Sequence, residues 1–475
     1  MVYYRRLLRD AMNNSYDDYK MVSEKWVSEL PSHWELTRLK RILQIRKEKN
    51  NPIVTDFILS LTANQGVVPI AQKEGAGGNK PKDDLTKYNV ARANDLLVNC
   101  MNVVAGSAGV SRWDGAISPV YYALFPRIPE NCNVWYYHYI FRLLTFQRSL
   151  LGLGKGILMH ESSTGKLNTV RMRISMDYLN NVNLPVPPVE EQNKIVAYLN
   201  WQTSQINSLI AAKKREIKLL KEYKQSCISY YVTHGLNDEP LRKTDIYWLK
   251  EVPDSWKETK LRYLLTKHKR DVPENAELLV CSNSGEVKKR GDSKMGLVAS
   301  SDDIYQGVAK GDLLIHGMDT WHGAIAISDY DGMCTPVVHV CSCNQSKRFV
   351  AYYLKMMAYT KVFKAISNGV RQNTSDFRSW AKVANLLIAF PTIDEQEKIA
   401  NHIDEIVASV DSMIANYEKQ IETLHDLKNR VISDAVTGKI DVRNVDIPEY
   451  EYLEETDEDL VDDSDDEEDI NEEEE

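Results

Sequence analysis

The phrase tryptophan, four residues, proline, two residues, tryptophan occurs twice in this chain, as WVSELPSHW (26–34) and WLKEVPDSW (248–256), 222 positions apart. The neighbours repeat as well. ELTRLKRIL (35–43) matches KETKLRYLL (257–265), and NDLLVNCM (94–101) matches GDLLIHGM (311–318). DGAISP (114–119) matches DGMCTP (331–336), and PPVEEQNKIVAYL (187–199) matches PTIDEQEKIANHI (391–403), at offsets that fall from 222 through 217 to 204. The chain is therefore a tandem duplication, each half a variable segment followed by one long helical segment. Two copies are too few for a solenoid, which needs about three stacked units.

The long segments carry a helical period. In the second, apolar residues fall at Ile399, Ile403, Ile406, Val410, Met413, Tyr417, Ile421, Leu424, Leu427, Val431 and Ala435, a narrow stripe that wants a partner helix. The first repeats it more loosely through Ile195, Leu199, Ile206, Leu209/Ile210, Ile217, Leu220, Tyr223 and Cys227. Each starts after proline with an acidic pair, Glu190-Glu191 or Asp394-Glu395, and stops near Gly235 or Gly438, as helix ends do. Helices of about 43 residues would be roughly 60–65 Å long; two of them in one chain can cover each other's stripes. The variable segments, 44–184 and 266–388, mix short β-like runs with one aromatic helical patch each, VWYYHYIFRLLTF (134–146) and KRFVAYYLKMMAY (347–359). Those aromatics sit at helical spacing, which reads as core more than as a stacking platform.

The net charge of −9 hides a basic body. Residues 446–475 hold 19 Asp and Glu and no Lys or Arg; without them the chain has 59 basic against 49 acidic residues, a net of +10. That balance suits a polyanionic partner, whereas DDSDDEEDINEEEE (462–475) is too polar to fold alone and is expected to be disordered. No apolar run approaches the roughly 20 residues of a membrane span, and the N-terminus lacks the pattern of a secretory signal. Seven cysteines without a Cys-x-x-Cys are expected to be reduced thiols in a cytoplasmic protein. His339, Cys341 and Cys343 are explained better by strand alternation in VVHVCSC than by a metal site.

Catalytic constellations are missing. There is no phosphate loop, no His-Glu-x-x-His, and no Asp/Asn-Pro-Pro-Tyr/Phe platform; GLGKGI (152–157) reads as a loop. The expectation is a chain without catalytic activity, metal or cofactor.

The blocks W-x4-P-x2-W and P-x2-[DE]-E-Q-x-K-I, each present twice and in the same order around variable centres, resemble those of the specificity subunit of Type I restriction–modification systems. The resemblance covers about residues 19–440. It implies an α+β protein: two mixed α/β target-recognition domains separated by two long antiparallel coiled-coil helices, with a disordered acidic C-terminal tail. The corresponding division is an N-terminal segment 1–25, a first domain 26–187, a first helix 188–235, a second domain 236–390, a second helix 391–438 and a tail 439–475. It implies a non-catalytic subunit that reads a split, asymmetric double-stranded DNA target. The partners implied are two modification (methyltransferase) subunits, with or without restriction subunits, and no membrane. A coiled-coil adaptor whose variable domains bind proteins is the alternative.

DNA contacts need Lys or Arg for phosphates and Arg, Asn or Gln for base edges. Four loops qualify: 71–82, with Lys73, Lys80 and Lys82; 163–173, with Lys166, Asn168, Arg171 and Arg173; 285–294, with Lys288, Lys289 and Arg290; and 367–378, with Arg371, Gln372 and Asn373. Pro31, Trp34, Pro253 and Trp256 are expected to be structural, through indole burial and a fixed chain direction.

Overall fold

The computed structural model describes residues 15–62, 66–73, 84–157, 171–291, 305–367 and 377–453. The chain divides into two compact units, one of residues up to Lys214 together with Glu418 onward, the other of Arg215–Tyr417. Each combines a mixed α/β domain with parts of both long helices.

In the first unit, four antiparallel strands lie in the order Leu43–Ile45, Tyr121–Pro126, Leu96–Asn99, Ala108–Val110. Leu96 and Val98 point into the main core while Leu97, between them, points into a smaller core with Leu59, Leu61 and Val67. Both faces of the sheet are covered, which is why NDLLVN is a continuous apolar run and not an alternating one. The helix Val134–Arg142 lies on the main-core face and buries Tyr136, Tyr137, Ile140 and Phe141; its aromatics are core. Asn133 caps it by accepting from the Trp135 N–H at 3.0 Å.

The second unit repeats this plan. Its sheet runs Leu265–His268, Val338–Cys343, Leu313–His316, Ile325–Ile327, and the helix Lys347–Tyr359 buries Phe349, Tyr353, Leu354 and Met357 against it. Val338 and Val340 enter one core and Cys341 the other. The alternation expected in VVHVCSC is thus between two apolar cores, and His339 and Cys341 are both fully buried.

One turn is repeated residue for residue. Asn94 and Gly311 both take the left-handed conformation, φ 67° and 86°, open to glycine and tolerated by asparagine. The following Asp95 and Asp312 are buried. Asp95 accepts from the Arg92 N–H at 2.9 Å and from Arg46 at 2.7 and 2.8 Å. Asp312 accepts from the Ala309 N–H at 2.8 Å and from Arg270. The aspartate of each [NG]-D-L-L block is a paired buried charge that fixes the entry to a central strand.

The long helices span Val189–His234 and Ile393–Val436, about 69 and 66 Å at 1.5 Å per residue. In the first unit Ile195, Leu199, Ile206 and Ile210 share a core with Ala435, Val431, Leu427 and Leu424, an antiparallel pairing in which Lys428 donates to Asn207 at 2.9 Å. In the second, Ile228 and Val232 pack with Ile403 and Ile399, and Lys224 pairs with Asp411. Going from Asn207 to Lys224 advances 17 residues on one helix, and from Lys428 to Asp411 retreats 17 on the other, so both units use one register.

The stripe departs from expectation at two positions. Met413 is 49% exposed and Ile414 is buried in its place; Tyr223 is exposed, and its neighbour Lys224 turns toward the partner helix. Steps of three and four are both helical, so sequence alone leaves the choice at each turn open by one residue. The tail expected to begin at 439 also starts later. Ile440 and Val442 are buried, and Ser204 and Asn207 on the first helix bond the backbone of Glu451 and Leu453 at 2.7 to 3.0 Å. Residues 454–475, the strongly acidic part, lie outside the described residues.

Candidate nucleic-acid interface

The repeated motifs assemble into a clamp between domain and helix pair. In the first unit Trp34 is fully buried and its Nε1 donates to Glu191 Oε2 at 2.7 Å. Tyr16 donates to the same carboxylate at 3.2 Å, and His33 Nε2 lies 2.8 Å from its other oxygen. Burial and the Glu191 charge push the Tyr16 phenol well above its ordinary pKa, so it stays a donor. Next to it, the fully buried Gln192 accepts from the Asn133 N–H at 2.8 Å and donates to the carbonyls of Pro187 and Asn131. Gly438, at the end of the second helix, sits at φ 71° with its α-carbon facing Pro31 and Trp34; a Cβ there would meet the Pro31 ring at 2.5 Å. One indole thus seats the start of one long helix and the end of the other.

The second unit sets Trp256, Glu395, Gln396 and Gly235 at the matching positions, but the buried Trp256 Nε1 finds no hydrogen-bond partner there among the described residues. Trp256 is buried, Gln396 accepts from the Ser346 N–H at 3.1 Å and donates to Pro391 O at 2.9 Å, and Gly235 has φ 73°. A Cβ at Gly235 would lie 3.2 Å from Glu395 and 3.3 Å from the Trp256 ring. Sequence reasoning took the acidic pairs as helix-dipole partners; the structure makes the second acid and the following glutamine anchors for the domain.

Of the residues chosen for DNA contact, Lys80, Lys82, Lys166, Asn168, Arg371, Gln372 and Asn373 lie outside the described residues. Arg171 is on a strand, Arg171–Arg173, paired antiparallel with Lys155–Ile157. Arg173 is exposed and lies beside Cys100 and Tyr122, where its charge opposes the burial that raises both groups. Lys73 closes a 3-10 turn, Ile70–Gln72, and is half-buried. Lys288, Lys289 and Arg290 end the hairpin Leu279–Cys281/Val287–Lys289. Lys288 lies 3.1 Å from Glu286, while Lys289 pairs with Glu277 and sits 5.3 Å from the Tyr330 ring centre. Such exposed pairs are worth about 0–1 kcal/mol, so both lysines are held by acids that phosphate could displace.

A second basic site was not anticipated. In the second unit Arg262, Leu265, Thr266, Lys267, His268, Lys269 and Trp380 line a shallow, wide-open cleft of about 480 Å³. It forms along the edge strand Leu265–His268. Period-two alternation turns His268 toward Ser342 at 2.7 Å and Arg270 toward Asp312. Lys267 and Lys269 face out, exposed, and meet no carboxylate among the described residues. The legible signal was TKLRYLLTKHKR (259–270), with five Lys or Arg and no acid.

The thiols offer little chemistry: burial pushes Cys132, Cys281, Cys334 and Cys341 up to about 12. Among the described residues no group of three or more His, Cys, Asp or Glu could hold a metal ion, and no helix is long and apolar enough to cross a membrane.

Residues 31–219, the first clamp and domain with part of the first helix, match the Type I restriction modification DNA specificity domain. The chain is thus similar to Type I specificity subunits over most of its length. It is 22% identical over 437 residues to the Type I restriction enzyme MjaVIII specificity subunit of Methanocaldococcus jannaschii, covering 88% of this chain and 95% of that one. It is 22% identical over 291 residues to the EcoBI specificity subunit of Escherichia coli, covering 56% and 60%. Its fold matches a chain from a solved structure concerned with complex assembly and conformational transition of the type I R-M system, with a TM-score of 0.60, 13% identity and coverage of 86% and 99%.

Proposed function

We propose that this chain is a Type I specificity subunit that reads a split, asymmetric DNA sequence, one half with each mixed domain, and does no chemistry itself. The domains so assigned are 26–187 and 236–390, with the helices 188–235 and 391–438 between and after them and 454–475 as an acidic tail. The carrying observation is that the two units keep one fold and one helix register while residues along the corresponding sheet edges differ. Ile45 in the first unit stands where the second has Lys267, and Met176 stands where the second has Trp380. A shared scaffold with divergent surfaces suits two different half-sites. A base pair is discriminated by about 1–3 kcal/mol per bidentate contact, so two small readers on one spacer add their selectivity.

The partners of this reading are two modification subunits, with restriction subunits joining them. Exposed apolar side chains on the long helices, Leu219, Tyr223 and Met413 in the second unit, are the surface we assign to a modification subunit. The adaptor alternative gains no observation of its own. The test is a genome-wide map of methyladenine in a methylation-free host expressing this chain with its modification partner. The expected result is one asymmetric motif with a fixed gap. A stable complex that leaves the genome unmethylated would refute the reading.

A further inference from the structure

We propose that the cleft of Arg262, Lys267, Lys269 and Trp380 in the second unit is a seat for a backbone phosphodiester of duplex DNA. The proposal rests on the DNA-reading function and adds to it a contact that fixes position without reading sequence.

Four observations converge. First, Lys267 near the end of an edge strand and Lys269 just beyond it line the same cleft, exposed and without a carboxylate among the described residues, unlike Lys288 and Lys289 on the hairpin Leu279–Cys281/Val287–Lys289. Two like charges lining one cleft without a carboxylate attract an anion. Second, no acid occurs across 259–270 or across 377–385, the two segments that supply the cleft, so no side chain from either segment competes for it. Third, the cleft is also lined by an indole held in place: the Trp380 ring meets the buried His339 ring edge-on at 5.5 Å, and His339 is itself bonded to Phe377 O at 2.7 Å. A fixed aromatic beside two cations offers a flat apolar surface for a deoxyribose and a donor N–H for a phosphate oxygen. Fourth, the field of Lys267 is felt inside the domain, where it adds to burial in lowering the pKa of His339.

The cleft belongs to the second unit. The equivalent edge of the first keeps Lys40, Arg41 and Lys47 exposed, but Ile45 and Met176 replace Lys267 and Trp380. The contact should therefore hold one half of the target more tightly to the backbone than the other.

The test compares the complex of the full chain and its modification subunits with the same complex carrying Lys267→Gln and Lys269→Gln, on target and unrelated duplexes, across salt concentrations. Each phosphate neutralised contributes about 0.9 to the slope of log affinity against log salt. The double variant should lower that slope by about 1 to 2 and weaken target and unrelated duplexes alike, by roughly tenfold near 0.1 M salt. Trp380→Phe should weaken both duplexes by a smaller factor. An unchanged slope in a variant that still melts like the parent overturns the proposal. Loss of the modification subunits with DNA binding intact would make the cleft a protein interface and overturn it equally. Saturable competition by inorganic phosphate at constant ionic strength would assign it to a free anion instead. If the parent complex binds no duplex at all, the DNA-reading function falls, and the cleft assignment with it.

Discussion

At the scale of single residues, position decides what a charged or aromatic group can do. His339 is fully buried, donates to Phe377 O and has no partner for its Nδ1 among the described residues; burial first, then Lys267 and His316, hold its pKa below the ordinary histidine value. The linkage follows. Below about pH 6.5 the unfolded chain takes up a proton that folded His339 refuses, so its contribution to stability is intact above that pH and erodes as the pH falls. His339→Gln, which keeps a donor for Phe377 O, should flatten the decline in melting temperature between pH 7 and pH 5.5. The limit set by one group is about 1.4 kcal/mol per pH unit. An identical decline in parent and variant would remove His339 from the account. Lys267→Gln should move the His339 titration, followed by NMR, upward. The clamp was half legible at this scale. Two tryptophans and two prolines recur at fixed spacing, which sequence read as burial. That Glu191 and Gln192 anchor the domain was not legible, because their partners Trp34 and Asn133 lie 157 and 59 positions away.

At the scale of elements, periodicity proved sufficient for existence and insufficient for facing. The two long helices are visible as stripes, and their ends follow from proline, acid and glycine. The seam itself slips by one residue at 413/414, because steps of three and four alternate and only the partner helix chooses between them. The difference is measurable. Ile414→Ala removes a buried branched side chain and should cost about 2–4 kcal/mol, whereas Met413→Ala should cost less than about 0.5. Thermal or denaturant unfolding of the two variants checks this; equal losses would contradict the seam. The strands show the complementary case. NDLLVN and GDLLIHG read as strands, but their continuous apolarity makes sense only once cores on both sheet faces are seen.

At the scale of the whole molecule, the duplication organises everything else: two units, one fold, one helix register. Truncation after Leu453 removes only residues beyond the last backbone bonds to Ser204 and Asn207 and should leave the melting temperature unchanged. Truncation after Val445 strips those bonds and uncovers two buried polar side chains, with an expected loss of about 1–3 kcal/mol. Equal melting of both truncations would show that residues 446–453 add nothing to the fold.

The sequence by itself determined the repeat, the two long helices, the sheet strands and the family resemblance, because each is written in local spacing or in blocks copied along the chain. The tertiary structure alone decided which cations are neutralised and which stand free, which face of each helix is seam, and that a cleft forms between Lys267 and Trp380, 113 positions apart. Ion pairing and concavity arise between residues that topology brings together, and no local pattern records which distant neighbour a side chain will meet.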